Sequence, residues 1–282
     1  MKIHPMYAPP TLFSEPVLIA FAVCVAAAAS TILGSIFVLR ANQANPRLLA
    51  FGLAFAGGAM VYVSLVEIFN KSVTAFAATY GDKTGYAYAT LAFFAGVLML
   101  AIIDRVIPNP HEGMDEQEVL HTHGHNHRKV TTPNVARVGL LAAAAITAHN
   151  FPEGLATFFA TLDNPVVGLP LAMAIAIHNI PEGVSIAIPV YYATGSRAKA
   201  VGATAVSALA EPVGALIGYL LLAPFLTQAV FGAVFGVIAG VMVFLAIDEL
   251  MPEAKRYSQG HEAVYGMVIG MAALALSLVL FK

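Results

Sequence analysis

The sequence predicts an all-α polytopic membrane protein with eight transmembrane helices. Of the 282 residues, 59% are hydrophobic and 11% are charged, whereas soluble domains carry about 25% charged residues. Apolar stretches of about 20 residues, each long enough to cross a bilayer, recur along the chain. The predicted spans cover residues 17–39, 48–69, 86–104, 135–161, 166–190, 199–222, 228–251 and 262–281. We expect them to form one transmembrane domain over residues 1–282.

The ends of these spans follow from local signals. The stretch from Val17 to Leu39 is longer than the apolar part of a secretory signal, and no clear cleavage site follows it, so we predict that it stays as span one. Spans four and five are separated only by Asp163-Asn164-Pro165, a turn sequence. Residues 105–134, between spans three and four, form a polar loop rich in histidine.

The basic residues predict the orientation of the chain. Of the 14 Lys and Arg residues, ten fall on one side of the predicted membrane and four on the other. Cytoplasmic loops carry the excess of basic residues. We therefore expect both termini outside the cytoplasm and the 105–134 loop inside it.

A weak internal repeat relates spans two and seven. Residues 58–67 and 240–249 share four identities in ten positions, although the two spans are predicted to run in opposite directions. Similar segments of opposite topology are typical of inverted-repeat transporters. The pattern predicts that spans one to three match spans six to eight around a central pair.

Charge and cysteine content exclude several classes of function. The formal net charge is −2, so no basic surface indicates nucleic acid as a partner. Cys24 is the only cysteine, which excludes an internal disulfide and a thiolate-rich metal cluster. A bound metal would have to be held by nitrogen and oxygen.

The decisive motif is His-Asn-x-Pro-Glu-Gly, which occurs at residues 149–154 and again at 178–183. Its His and Glu are one helical turn apart and share a helix face. Both copies lie near the middle of their spans, so two neighbouring helices can offer four ligands to one point: His149, Glu153, His178 and Glu182. Such a set suits Zn²⁺, with Fe²⁺, Co²⁺, Mn²⁺ and Cd²⁺ as competitors.

Other polar residues of the spans are further candidates. Asn150 and Asn179 lie on the neighbouring helix face, and Glu211 lies at middle depth in span six, where a carboxylate is costly without a partner or an ion. Pro152 and Pro181 remove backbone hydrogen bonds and are expected to kink spans four and five.

Two further groups are less specific. Glu67, near the outer end of span two, and Asp248 and Glu249, near the inner end of span seven, either mark the entry and exit of an ion or simply reach interfacial water. In the cytoplasmic loop, alternate histidines either bind metal loosely or belong to a polar linker. These histidines are His121, His123, His125 and His127.

Three alternatives to a metal carrier remain open on the residues alone. The motif histidines could only hold buried glutamates in place, with no ion. An intramembrane metalloenzyme could use the same ligands, although His-Glu-x-x-His is absent. Haem ligation by His149 and His178 would leave Glu153 and Glu182 unexplained. We expect a transporter, not an enzyme, with no cofactor beyond the transported metal.

The paired motifs, the Glu-Pro of span six, the eight spans and the His-rich loop together resemble the ZIP (Zrt/Irt-like) metal transporters, in particular a bacterial broad-range zinc-uptake branch. The resemblance implies a three-plus-two-plus-three helix bundle with an inverted repeat, and uptake of divalent metal across the bacterial inner membrane. It also implies a two-metal centre. One set of ligands would be His149, Glu153, His178 and Glu182, and the other Asn150, Glu153, Asn179, Glu182 and Glu211.

The chain departs from that pattern at two positions. Some relatives carry Gln and Asp where this chain has His178 and Asn179, and a neutral Asn179 makes the second site less anionic. The expected partners are divalent metal ions and the lipid bilayer. The sequence leaves open whether the chain acts alone or as a homodimer.

Overall fold

The computed structural model describes residues 11–40, 46–106, 147 and 150–281, and every regular element among them is helical. Seven helical segments are long and apolar enough to cross a membrane, and an eighth helix is described over residues 150–163. The predicted all-α polytopic fold is confirmed. The spans are Glu15–Arg40 (one), Pro46–Tyr80 (two), Asp82–Val106 (three), 150–163 (four), Pro165–Thr194 (five), Arg197–Leu222 (six), Gln228–Tyr257 (seven) and Glu262–Phe281 (eight).

The turns between the central spans form where the sequence places them. Asn164 begins span five by accepting a hydrogen bond from Val166 N at 3.0 Å, and Pro165 follows as the first helical residue. Gly195 ends the span in the left-handed conformation at φ 64°, which glycine adopts without a steric penalty. Ser196 then caps span six.

Spans two and seven are longer than predicted. Their helices continue beyond residues 69 and 251 to Tyr80 and Tyr257. In span two the mean hydropathy falls after Phe69, yet Ser72 and Phe76 are buried, and Ser72 Oγ donates to Gly232 O of span seven at 2.6 Å. Tertiary packing therefore extends the helix past its most apolar part.

This extension corrects one expectation. Glu67 is not near the outer end of span two, because the helix runs a further 12 residues from Phe69 to Tyr80. The residue lies inside the helix and only 7% of its surface is exposed. Asp248 and Glu249 are likewise followed by Leu250 and by seven further helical residues, Met251–Tyr257, although Asp248 is exposed.

The internal repeat of the sequence has a counterpart in the backbone. Each of spans two and seven contains a single π-helical turn, Ser64–Ile68 and Ala246–Leu250. The two turns fall at the same positions when Gly58 is aligned with Gly240, as in the sequence comparison. A π turn is rare and is frequent at functional sites, so its duplication at matched positions supports the repeat.

Helix packing shows the same relation. Span two packs on span eight, and span seven on span three, at crossings so close that a β-carbon on the glycine would meet a carbonyl oxygen of the other helix. Because the repeat relates span two to span seven and span three to span eight, the crossings of one pair correspond to those of the other. They are Gly58 on Met267 and Gly270 on Phe55 in the first pair, and Gly240 on Phe93 and Gly96 on Val237 in the second.

Spans four and five lie between the two repeats. Span five crosses span one, where Gly183 approaches Thr31 O, and span four crosses span six, where Gly154 approaches Glu211 O. Both crossings involve the last residue of a His-Asn-x-Pro-Glu-Gly motif. The two motifs are therefore held in equivalent backbone positions, one by each repeat.

Candidate metal site

The motifs of spans four and five come together in the interior of the bundle. Ligand atoms of Glu153, His178 and Glu182 all lie within 4.8 Å of one another. At most 3% of each residue is exposed. One nitrogen and two carboxylates at this spacing could hold one divalent ion.

The ring of His178 is oriented by its own helix. Its Nδ1 lies 3.2 Å from Ala174 O; because a carbonyl only accepts, Nδ1 carries the proton of this hydrogen bond. The Nε2 atom faces Glu153 Oε1 at 3.0 Å. Two ligand atoms about 2.0 Å from a tetrahedral Zn²⁺ lie about 3.3 Å apart, so the pair needs little movement to share an ion.

The two motif asparagines are oriented in parallel ways. Asn150 Nδ2 donates to Ser207 O at 3.1 Å and to Ser207 Oγ at 3.2 Å. Asn179 Nδ2 donates to Ala27 O at 3.2 Å and to Glu211 Oε1 at 2.7 Å. Among the described residues neither Oδ1 has a hydrogen-bond partner. Both amides therefore leave an oxygen that could bind a cation.

Glu211 of span six belongs to the same polar cluster. It is fully buried, and its Oε1 accepts from Asn179. In the described part of the chain, Glu211 Oε2 and Glu153 Oε2 have no hydrogen-bond donor. Buried carboxylate oxygens without a donor are energetically costly, and a bound cation would remove that cost.

Some predicted residues fall outside the described part of the chain. His149 is one of them, so the fourth ligand of the predicted N₂O₂ set stays a prediction. The loop histidines are also outside it: His121, His123, His125 and His127.

The prolines of spans five and six do not end their helices. Span five is continuous through Pro181, and span six is continuous through Pro212, which follows Glu211.

The predicted entry and exit residues do not join this cluster. Asp248 and Glu249 instead lie with Asp104 of span three, and one carboxylate oxygen from each lies within 4.8 Å of the others. These residues are exposed or partly exposed. Asp104 was missed from the sequence because it neighbours Arg105 at a helix end and resembles an ordinary interfacial residue.

Sequence reasoning also missed the residues that orient the asparagines. Ser207 and Ala27 accept equivalent hydrogen bonds from Asn150 and Asn179. A weak signal was present, because Ala-x-x-x-Thr-x-x-Gly at 27–34 in span one has the spacing of Ser-x-x-x-Glu-x-x-Gly at 207–214 in span six. Such a pattern has no meaning until the helices are known to pack in equivalent ways.

Comparison with known proteins gives a consistent result. A family model described as ZIP Zinc transporter matches residues 108–278. Zinc transporter ZupT of Stenotrophomonas maltophilia (strain K279a) is 61% identical over 95% of this chain and 97% of its own length. The same-named protein of Neisseria meningitidis serogroup B (strain ATCC BAA-335 / MC58) is 63% identical over 93% and 96%, and that of Oceanobacillus iheyensis is 44% identical over 94% and 99%. The chain belongs to the ZIP zinc transporter family.

Proposed function

We propose that this protein carries divalent transition metal ions, Zn²⁺ first among them, across the bacterial inner membrane into the cytoplasm. The observation that supports this most directly is the buried cluster of Glu153, His178 and Glu182 inside a polytopic chain of the ZIP family. The relatives named above are zinc transporters by name. Membership of a transporter family also favours transport over the metalloenzyme alternative.

The charge of the cluster indicates a cation as cargo. Glu153, Glu182 and Glu211 are all buried, and a carboxylate in a membrane interior costs about 2.5–3.5 kcal/mol on insertion scales. A divalent ion offsets this cost for several carboxylates at once. The mixed nitrogen and oxygen donors suit Zn²⁺ and admit Fe²⁺, Mn²⁺, Co²⁺ and Cd²⁺.

The ligands divide into two groups in this proposal. The first ion would contact the motif His and Glu residues, and the second the asparagines and Glu211, with Glu153 and Glu182 shared. The unpartnered Oδ1 atoms of both asparagines support the second group. The first comprises His149, Glu153, His178 and Glu182.

An apolar cavity lies beside span four, next to the motif of that span. It has a volume of about 580 Å³ and borders Phe151 and Pro152 of span four and Val237 and Val241 of span seven. We propose that the two repeats rock around the central pair and expose the site to each side in turn. Asp248 and Glu249 would then lie on the exit route, with the 105–134 loop beyond it. The outward termini and a homodimer stay predictions.

The decisive experiment is Zn²⁺ influx into proteoliposomes that contain a fluorescent zinc indicator and no organic substrate. We expect saturable influx by the parent protein. Glu153→Ala and Glu182→Ala should each lower it at least about 100-fold, because each removes a buried ligand. Glu15→Ala, which truncates an exposed glutamate at the start of span one, is the matched control and should transport normally.

The outcomes separate the alternatives. Unimpaired influx through both glutamate variants, in correctly folded protein, would contradict the proposed site. Zinc bound without any influx in the parent protein would favour the metalloenzyme alternative, whereas neither binding nor influx would favour the structural alternative. Competition by Fe²⁺, Mn²⁺, Co²⁺ and Cd²⁺ in the same assay would rank the substrates.

A further inference from the structure

Thr31 of span one is a buried threonine whose hydroxyl makes no hydrogen bond in the described part of the chain. It is fully buried, yet its Oγ1 has no partner. Other helical threonines donate to the carbonyl four residues earlier, as Thr90 does to Tyr86 O and Thr204 to Ala200 O. A buried hydroxyl without a partner costs about 1–3 kcal/mol, so its retention in a helix interior requires a reason.

The backbone carbonyl that Thr31 would normally use has another partner. Four residues before Thr31 is Ala27, and Ala27 O accepts from Ser30 Oγ at 2.6 Å and from Asn179 Nδ2 at 3.2 Å. The hydroxyl of Thr157 also lacks a hydrogen-bond partner among the described residues, and the residue four before Thr157 is Glu153 of the site. Each of these two threonines therefore lies one helical turn after a residue that belongs to the cluster or hydrogen-bonds to it.

The inverted repeat gives Thr31 a counterpart, which is Glu211. Gly183 of span five approaches Thr31 O as Gly154 of span four approaches Glu211 O. The neighbouring contacts agree, because Gly34 approaches Ile180 O and Gly214 approaches Phe151 O. The hydrogen bonds agree as well: Asn179 donates to Ala27 O and Asn150 to Ser207 O, each four residues before the counterpart.

Because the two backbone positions are equivalent, the side chains of Thr31 and Glu211 leave the backbone in equivalent directions. Glu211 reaches across from span six to Asn179 of span five, with a distance of 2.7 Å between Oε1 and Nδ2. The repeat relation directs Thr31 from span one toward Asn150 of span four. In the described part of the chain no hydrogen bond joins Thr31 Oγ1 to this asparagine, and Asn150 Nδ2 donates instead to Ser207 Oγ.

We propose that Thr31 is a further residue of the ion-binding site, which rests on the transport function proposed above. Its hydroxyl oxygen contacts the ion, or a water bound to the ion, on the side opposite Glu211. It is a neutral oxygen donor where the repeat would otherwise place a fourth carboxylate. This keeps the site at three glutamates from spans four, five and six, so that the ion is released more readily than from four.

The test compares Thr31→Val, which removes the hydroxyl and keeps the shape, with Thr31→Ser, which keeps the hydroxyl. We measure both Zn²⁺ influx and equilibrium Zn²⁺ binding in detergent. Thr31→Val should raise KM and Kd by about three- to tenfold, the loss of one hydrogen bond or weak ligand, and leave kcat within about twofold. Thr31→Ser should restore parent values. Thr90→Val, the same change at a threonine that bonds its own helix, is the control.

The outcomes are distinct from those of the proposed function. A parent protein that binds Zn²⁺ without moving it would contradict transport, while the Kd values would still decide the role of Thr31. If Thr31→Val keeps parental KM and Kd, or if Thr31→Ser behaves as Thr31→Val, the proposal is wrong. A fall in kcat alone, with KM and Kd unchanged, would make Thr31 a packing residue and would also overturn it.

A swap tests the repeat relation itself. Glu211→Thr should lower influx. The double variant that also carries Thr31→Glu should have an influx at least about tenfold higher than Glu211→Thr alone, because the carboxylate returns from the opposite repeat and can accept from Asn150. A folded double variant no better than Glu211→Thr would contradict the assignment of Thr31 as the counterpart of Glu211.

Discussion

The two halves of the cluster have the same backbone frame but different side chains. In one half, span six crosses span four and contributes Glu211 and Ser207. In the other, span one crosses span five and contributes Thr31 and Ala27 at the equivalent positions. The helices approach through glycine in both halves, whereas of the two flanking helices only span six supplies a carboxylate.

This difference separates what packing requires from what the cargo requires. Close helix crossings in a membrane need small residues, and both halves keep them because the frame depends on both. The charge of the site depends on the sum of its ligands and not on where each originates. One repeat can therefore supply the acid while the other stays neutral.

The largest effect is expected from breaking the frame. Gly154→Ala and Gly183→Ala each place a β-carbon against a backbone carbonyl, of Glu211 and Thr31 respectively. A backbone atom cannot move aside as a flexible side chain can, so each variant should lose at least about 1–3 kcal/mol, the usual cost of overpacking. Thermal unfolding in detergent measures the loss, and equal losses would show that the halves are equivalent in packing.

Gly202→Ala is the matched control for these variants. Gly202 lies in span six with no atom within 4 Å of an added β-carbon. There we expect unchanged or slightly higher stability, by up to about 1 kcal/mol, since alanine is the better helix former. Parental stability of Gly154→Ala and Gly183→Ala would contradict the close helix crossings at these two glycines.

A smaller and asymmetric effect is expected at the asparagines. Asn179→Ala removes the donor to Glu211 Oε1 and leaves a buried carboxylate with less support. Asn150→Ala removes the equivalent amide oxygen, but the hydrogen-bond partners that it frees are neutral, the hydroxyl and carbonyl of Ser207. Because hydrogen bonds to charged groups are about twice as strong as neutral ones, the KM for Zn²⁺ influx should rise about tenfold in Asn179→Ala and about threefold in Asn150→Ala.

These two variants control for each other, because they make the same substitution at equivalent positions. Equal KM values would indicate that Glu211 does not distinguish the halves. A larger rise in Asn150→Ala would reverse the comparison and would favour a role for Ser207 in binding the ion.

The smallest effect is expected at the ends of the aligned segments. Glu67 and Glu249 occupy matched places in the two π turns, but Glu67 is buried and Glu249 is partly exposed beside exposed Asp248. Exposed charges are screened by water and salt. Asp248→Asn and Glu249→Gln should thus change influx by less than about threefold, and Glu67→Gln by more. Zinc influx measured at low and high ionic strength tests both expectations. Equal changes in influx in all three variants would contradict this distinction between buried and exposed carboxylates.

Much of the fold followed from hydropathy alone, because a bilayer requires long apolar helices. The turn at Asp163-Asn164-Pro165 followed from local chemistry in the same way. The lengths of spans two and seven did not. Residues 70–80 are less apolar than the rest of span two, and they are helical because Ser72 and Phe76 pack against span seven. Such a contact between distant residues cannot be read from a local pattern.

The candidate site divides along the same line. The sequence by itself determined that His and Glu recur at helical spacing in two adjacent spans, and this recurrence predicted a buried site for a cation. Only the tertiary structure decided which atoms meet: that Glu211 bonds Asn179, that Asp104 joins Asp248 and Glu249, and that Thr31 is the counterpart of Glu211. Spacing along one helix is fixed by its geometry, whereas the register between helices depends on side chains far apart in the sequence.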